Sequence, residues 1–157
     1  MKLSEYFTLE EATYSETAIR LGIDNQPSIA QLENMKHVAT THADLIRKEL
    51  GHPVHINSWL RLPDVNVAVG GSKVSSHMDG WAFDMTCAGF GDTLATAKKI
   101  AEIFKAHGVK FDQIIHEYGR WVHVSGAPEG RGELKTIFRP ENKYKPGLLS
   151  EAEYHAA

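Results

Sequence analysis

Ser75-Ser76-His77-Met78-Asp79-Gly80-Trp81-Ala82-Phe83-Asp84 reads as a loop that places His77, a turn at Gly80, and a strand that carries Asp84 back. Gly80 suits the turn because glycine adopts backbone conformations that other residues resist. Trp121-Val122-His123-Val124-Ser125 answers it as a second strand. A sheet that pairs the two sets Asp84 and His123 side by side on one face. Two imidazoles and one carboxylate are the ligand set of a catalytic zinc site, with one coordination position left for water.

Residue types alone do not carry that reading. A His…Asp…His set more often comprises a loop histidine, a capping aspartate and a core histidine. Here the flanks change the balance. An aspartate inside Trp81-Ala82-Phe83-Asp84-Met85 and a histidine inside Trp121-Val122-His123-Val124 are costly if buried without partners. A shared cation satisfies both. Non-haem iron centres use the same ligand types, but their first histidine and carboxylate usually sit two residues apart. His77 and Asp84 are seven apart, which disfavours iron.

Outward from this pair, the chain alternates helical and strand patterns. Thr8-Leu9-Glu10-Glu11 reads as a capping box opening a short helix, and Ser28 with Gln31 as a second one. From Ile29, apolar residues at Leu32, Met35, Ala39, Leu45 and Ile46 recur at helical spacing, and the long helix should stop at Gly51 before Pro53. Val54 to Ser58 reads as a strand, and Arg61 to Gly71 as loop and short helix with Pro63 in its first turn. Trp81 to Thr86 is a strand. A helix starts at Asp92 or Thr93 and ends near Gly108. Strands follow at Asp112–Glu117 and Trp121–Ser125, joined by a tight turn with Gly119, and another at Leu134–Phe138. The fold class is therefore α+β, with helices packed against a small, mainly antiparallel sheet that carries the zinc site. Residues 1–139 are expected to form a single domain and residues 140–157 a polar tail that wraps the surface or frays.

The chain has 157 residues, enough to bury a core without staples. A net charge of −3 and the lack of a basic cluster argue against nucleic acid. No apolar run is long enough to cross a bilayer. The N-terminus lacks the apolar core of a secretory signal, so synthesis in the cytoplasm is expected. The lone Cys87 excludes an internal disulfide and reads as a small buried residue.

The stretch Ser58-Trp59-Leu60-Arg61-Leu62-Pro63-Asp64 through Gly70-Gly71, then Ser75-x-His77-x-x-Gly80-x-Ala82-x-Asp84 and Trp121-Val122-His123, resembles the M15 zinc peptidases. These are D-Ala-D-Ala carboxypeptidases and L-alanyl-D-glutamate endopeptidases of bacterial cell-wall peptides, and the likeness is greatest to small phage and prophage members. It runs from about Phe7 to Ser125. The resemblance implies that His77, Asp84 and His123 bind one zinc ion, that Arg61 binds a substrate carboxylate or stabilises the oxyanion, and that Ser75 supports the site. A guanidinium fork suits a carboxylate. The implied partners are peptidoglycan stem peptides, cut by a monomer that reaches the wall, as a lysin does, with the help of another protein.

One position departs from the family pattern. Many members place the acidic catalytic residue three before the last ligand, where this chain has Arg120. Glu117, six before His123, is the nearest acid, a placement similar to that in the zinc-bearing domain of hedgehog proteins. Hairpin register supplies a separate argument. A two-residue loop sets His116 opposite His123, whereas a three-residue loop, Tyr118-Gly119-Arg120, sets Glu117 opposite Trp121 and on the zinc face. Three-residue loops with a late glycine are common. Glu117 is therefore the favoured base, with His116 kept as a substrate-binding candidate. The competing reading is a noncatalytic, zinc-stabilised wall-binding or structural module. Carboxypeptidase and endopeptidase stay open.

Overall fold

The computed structural model describes residues 1–157. The N-terminal helices are α1 (Leu9–Thr13), α2 (Glu16–Leu21), α3 (Ile29–Val38) and α4 (Asp44–Leu50). Strand β1 (His55–Ser58), α5 (Pro63–Ala68), a 3₁₀ turn (Ser76–Asp79) and β2 (Ala82–Thr86) come next. Then come α6 (Thr93–His107), β3 (Gln113–Glu117), β4 (Trp121–Ser125), β5 (Glu133–Ile137), β6 (Lys145–Pro146) and α7 (Glu151–Ala156). The architecture is α+β, as the alternating patterns predict.

Six strands form one sheet in the order β1-β2-β4-β3-β5-β6. All neighbours are antiparallel except β3 and β5. The β3–β4 hairpin has the three-residue loop: Glu117 pairs with Trp121 and Ile115 with His123. Gly119 in that loop has φ +65°, which costs glycine nothing, and Tyr118 before it also takes a positive φ of 57°.

Side chains alternate across the pleat, and this splits the sheet into two chemistries. Phe83 and Met85 of β2, Ile114 of β3 and Val122 and Val124 of β4 turn to the helices, where Met35, Ile46, Ile100 and Phe104 complete the core. Each large apolar side chain buried this way contributes roughly 1.5–3 kcal/mol. Asp84, His123 and Glu117 lie on the opposite face.

The long helix differs from its sequence reading in one respect. A π-helical turn, Ala39–Ala43, sits between α3 and α4. One extra residue in a turn shifts the register of the helix beyond it, and the turn buries Ala39, His42 and Ala43 together. The Ser28–Gln31 capping box is present in both halves, and Gly51 ends α4 in a left-handed conformation. At α1, Thr8 accepts the Glu11 N–H as expected of a cap.

The segment after Pro140 does not fray. β6 pairs with β5, a Ser150–Glu153 capping box opens α7, and Tyr154 is fully buried. The Tyr154 hydroxyl donates to the Lys143 carbonyl at 2.6 Å and its ring packs on Phe138. One buried aromatic in a polar stretch is too little periodicity to read as an element. No helix is long and apolar enough to cross a membrane.

Candidate metal centre

Two local devices set His77. Ser75 caps the 3₁₀ turn by accepting the His77 N–H at 3.2 Å, and Gly80 ends the turn with φ +83°. A Cβ on Gly80 would lie 2.7 Å from Met35 Cγ and 3.0 Å from the Gln31 carbonyl oxygen. Trp59, buried just beyond β1, donates its indole N–H to the Gly80 carbonyl at 2.9 Å and so ties the turn to the sheet. Asp84 and His123 are direct partners across β2 and β4.

His77, Asp84 and His123 converge, with ligand atoms within 4.8 Å of one another. His77 Nε2 is 3.2 Å from Asp84 Oδ1 and 3.2 Å from His123 Nδ1, and His123 Nδ1 is 3.0 Å from Asp84 Oδ1. All three side chains are buried. His77 Nδ1 lies 2.7 Å from the Trp59 carbonyl oxygen. A carbonyl only accepts, so Nδ1 carries the proton and Nε2 turns a lone pair inward. His77 Nε2 and Asp84 Oδ1 thus turn lone pairs to one buried point that His123 Nδ1 also faces, and such a point attracts a cation.

The titration of the cluster tells the same story. Burial pushes the His77 imidazolium down, toward the neutral ring a metal requires. Burial also opposes charge on Asp84, yet His77 and His123 hold its carboxyl well below the usual range. Burial works against the His123 cation too, but Asp84 and Glu117 outweigh it and raise its pKa. The residues present therefore fit a metal with nitrogen and oxygen donors.

Glu117 reaches the same pocket. Its Oε1 is 3.7 Å from His123 Nδ1. Burial, with the nearby Asp84 charge, pushes its pKa up to about 7. A carboxyl so poised exchanges protons near neutrality.

Arg61 is fixed through its backbone, where its N–H donates to the His77 carbonyl at 3.0 Å. Its guanidinium reaches Ser75 Oγ at 3.4 Å, makes no ion pair, and keeps a buried Nε–H without a partner. Arg61, Ser75, His77, Asp84, Glu117 and His123 all line one cleft of about 440 Å³.

His116 is not in this cleft. It pairs with Val122 and shares that residue's helix-facing side of the sheet. Its Nδ1–H donates to the Leu149 carbonyl at 2.9 Å, and its Nε2 accepts the Thr93 hydroxyl at 2.8 Å. The register that turns Glu117 inward turns His116 outward, so its ring ties the C-terminal segment to α6. Sequence reasoning missed Tyr118, Lys135, Arg139 and Tyr144, which also line the cleft. The alternation of β5 signalled Lys135, but only once its partner strand was known.

A family model described as Peptidase M15 matches residues 5–125. No curated protein matches the chain.

Proposed function

The chain belongs to the M15 peptidase family, and from that premise we propose that it is a zinc-dependent hydrolase of bacterial cell-wall stem peptides. Its membership makes it a metallopeptidase; the metal, the substrate and the roles below are our reading. One observation carries it: the half-buried carboxyl of Glu117 stands 3.7 Å from His123 in a cleft shared with His77 and Asp84.

His77 Nε2, Asp84 Oδ1 and His123 Nδ1 would hold the zinc ion. When bound, zinc supplies Lewis acidity, which brings the pKa of a water toward neutrality and polarises a peptide carbonyl. Glu117 removes a proton from the attacking water as its oxygen bonds to the carbonyl carbon. It returns that proton to the amine nitrogen as the C–N bond breaks. Arg61, a guanidinium without a carboxylate partner, pairs with a carboxylate of the substrate or with the developing oxyanion. Ser75 holds Arg61 and the His77 turn in one arrangement. A single chain supplies every one of these groups, which supports a monomer acting at the wall.

The test is incubation of purified muropeptides with wild type and His123→Ala, with metal content measured and products identified by mass. Free D-Ala indicates a carboxypeptidase, and a cut stem with intact ends an endopeptidase. A zinc-loaded wild type that cleaves no muropeptide contradicts the enzyme and leaves the noncatalytic wall-binding module.

A further inference from the structure

The far wall of the cleft comes from residues beyond Ser125, where the family match ends. It includes Lys135 of β5, with Arg139 and Tyr144 between β5 and β6. Register places Lys135 with respect to the reaction centre. Asp84 pairs with His123, His123 with Ile115, and Ile115 with Lys135, so the four residues form one row across four adjacent strands. Paired residues share a face, and Lys135 accordingly opens into the same cleft as the metal cluster. Two strand spacings separate His123 from Lys135, roughly 10 Å. An extended peptide covers that distance in about three residues.

The charges on this wall do not balance. Asp112 is occupied by Arg131, which meets it with Nε at 2.9 Å and Nη2 at 2.8 Å. Glu133 is shared by Gln113 at 2.9 Å, Lys135 at 3.2 Å and Arg131 at 3.5 Å. Arg139 forms no ion pair. Its guanidinium instead lies over the Tyr118 ring, 5.2 Å from the centroid, and the Tyr118 hydroxyl donates to Asn142 at 3.3 Å. That ring holds the cation in place without neutralising it. Tyr144, half exposed at the cleft with Lys135 Nζ 5.9 Å from its ring centroid, adds a hydroxyl donor. Arg61, which lines the same cleft, is equally without a carboxylate.

We infer that Lys135, Arg139 and Tyr144 form a second carboxylate subsite, so that the chain selects stem peptides whose glutamate carboxylate is free over those in which it is amidated. This rests on the peptidase reading and assigns the substrate class to its cleft. Arg61 keeps its role toward a substrate carboxylate or the oxyanion, and the β5 wall meets the glutamate carboxylate. A charge-assisted pair to a carboxylate is roughly twice as strong as a neutral hydrogen bond, so the amide is the discriminated form.

Binding to zinc-loaded Glu117→Gln protein tests this without turnover. Two synthetic stem peptides, identical except for D-glutamate or D-isoglutamine, are titrated by calorimetry. The acid should bind at least tenfold tighter, and the ratio should shrink as salt rises. Adding Lys135→Gln and Arg139→Gln should bring the two peptides to similar affinity, with zinc content and melting temperature unchanged. Equal binding of both peptides by the parent, binding of neither, or an acid preference that survives the added substitutions overturns the subsite. Acid preference in the parent, together with a wild type that cuts neither peptide, overturns the hydrolytic reading and leaves the subsite standing.

Discussion

The carbonyl oxygen of Trp59 accepts the Nδ1–H of His77 at 2.7 Å, and this one hydrogen bond decides which nitrogen of His77 faces Asp84 and His123. A ligating histidine is commonly oriented in this way by a backbone carbonyl. The proposed metal should therefore bind the folded chain and stabilise it. Zinc at 100 times its Kd should add about 2.7 kcal/mol, seen as a raised melting temperature that a chelator reverses. His77→Ala and His123→Ala should melt at the same temperature with and without zinc. A zinc-dependent shift that persists in both variants contradicts the ligand set.

Gly80 is held at φ +83° against Met35 and the Gln31 carbonyl. An alanine there carries about 1–2 kcal/mol of backbone cost and a clash with the buried Met35 side chain. Gly80→Ala should lower the unfolding free energy, read from urea titration, by at least that amount and weaken zinc binding, because the displaced turn carries His77. Unchanged zinc affinity in a folded Gly80→Ala protein would show that the turn does not position the ligand.

Asp112 is fully buried and accepts the backbone N–H of Arg131 as well as its guanidinium. The hydrogen bond from Arg131 is the main reason its carboxyl sits below the usual range. A depressed folded pKa stabilises above the unfolded value, about 3.9, and that stability is lost as pH falls through the folded value. Asp112→Asn should cost about 2 kcal/mol at pH 7, and the gap to wild type should close below about pH 4. Urea unfolding at both pH values measures it, and a gap that is constant with pH would rule the ion pair out as the cause.

His116 bridges Thr93 and Leu149 on the helix side of the sheet. Its removal leaves both partners unpaired and should cost about 1–3 kcal/mol. Burial lowers its pKa, so its contribution is full above the unfolded value and fades as pH falls below about 6.5. His116→Ala should keep wild-type zinc content and KM. A raised KM at unchanged stability would return His116 to the cleft.

Much of this was legible in the chain. Apolar flanks around Asp84 and His123 marked both as strand residues with a polar purpose, and the pairing of β2 with β4 sets them side by side. The glycine in Tyr118-Gly119-Arg120 pointed to the three-residue loop that turns Glu117 inward. The parallel pairing of β3 with β5 was not legible, since alternation in a strand says nothing of its neighbour. Lys135, Arg139 and Tyr144 stayed hidden for that reason. The π turn at Ala39–Ala43 escaped because one inserted residue barely disturbs a 3.6-residue period. His116 and Glu117 are adjacent residues of one regular strand and cannot share a face, so only one of them reaches the cleft.

In the proposed mechanism Glu117 moves the proton while His77, Asp84 and His123 hold the metal. Glu117→Gln keeps the shape of the side chain and removes its basicity. Zinc content and muropeptide hydrolysis, measured on the same preparation, test the claim most directly. Glu117→Gln should hold one zinc per chain, as in wild type, with kcat reduced at least 100-fold. Full zinc with near-normal kcat would contradict it.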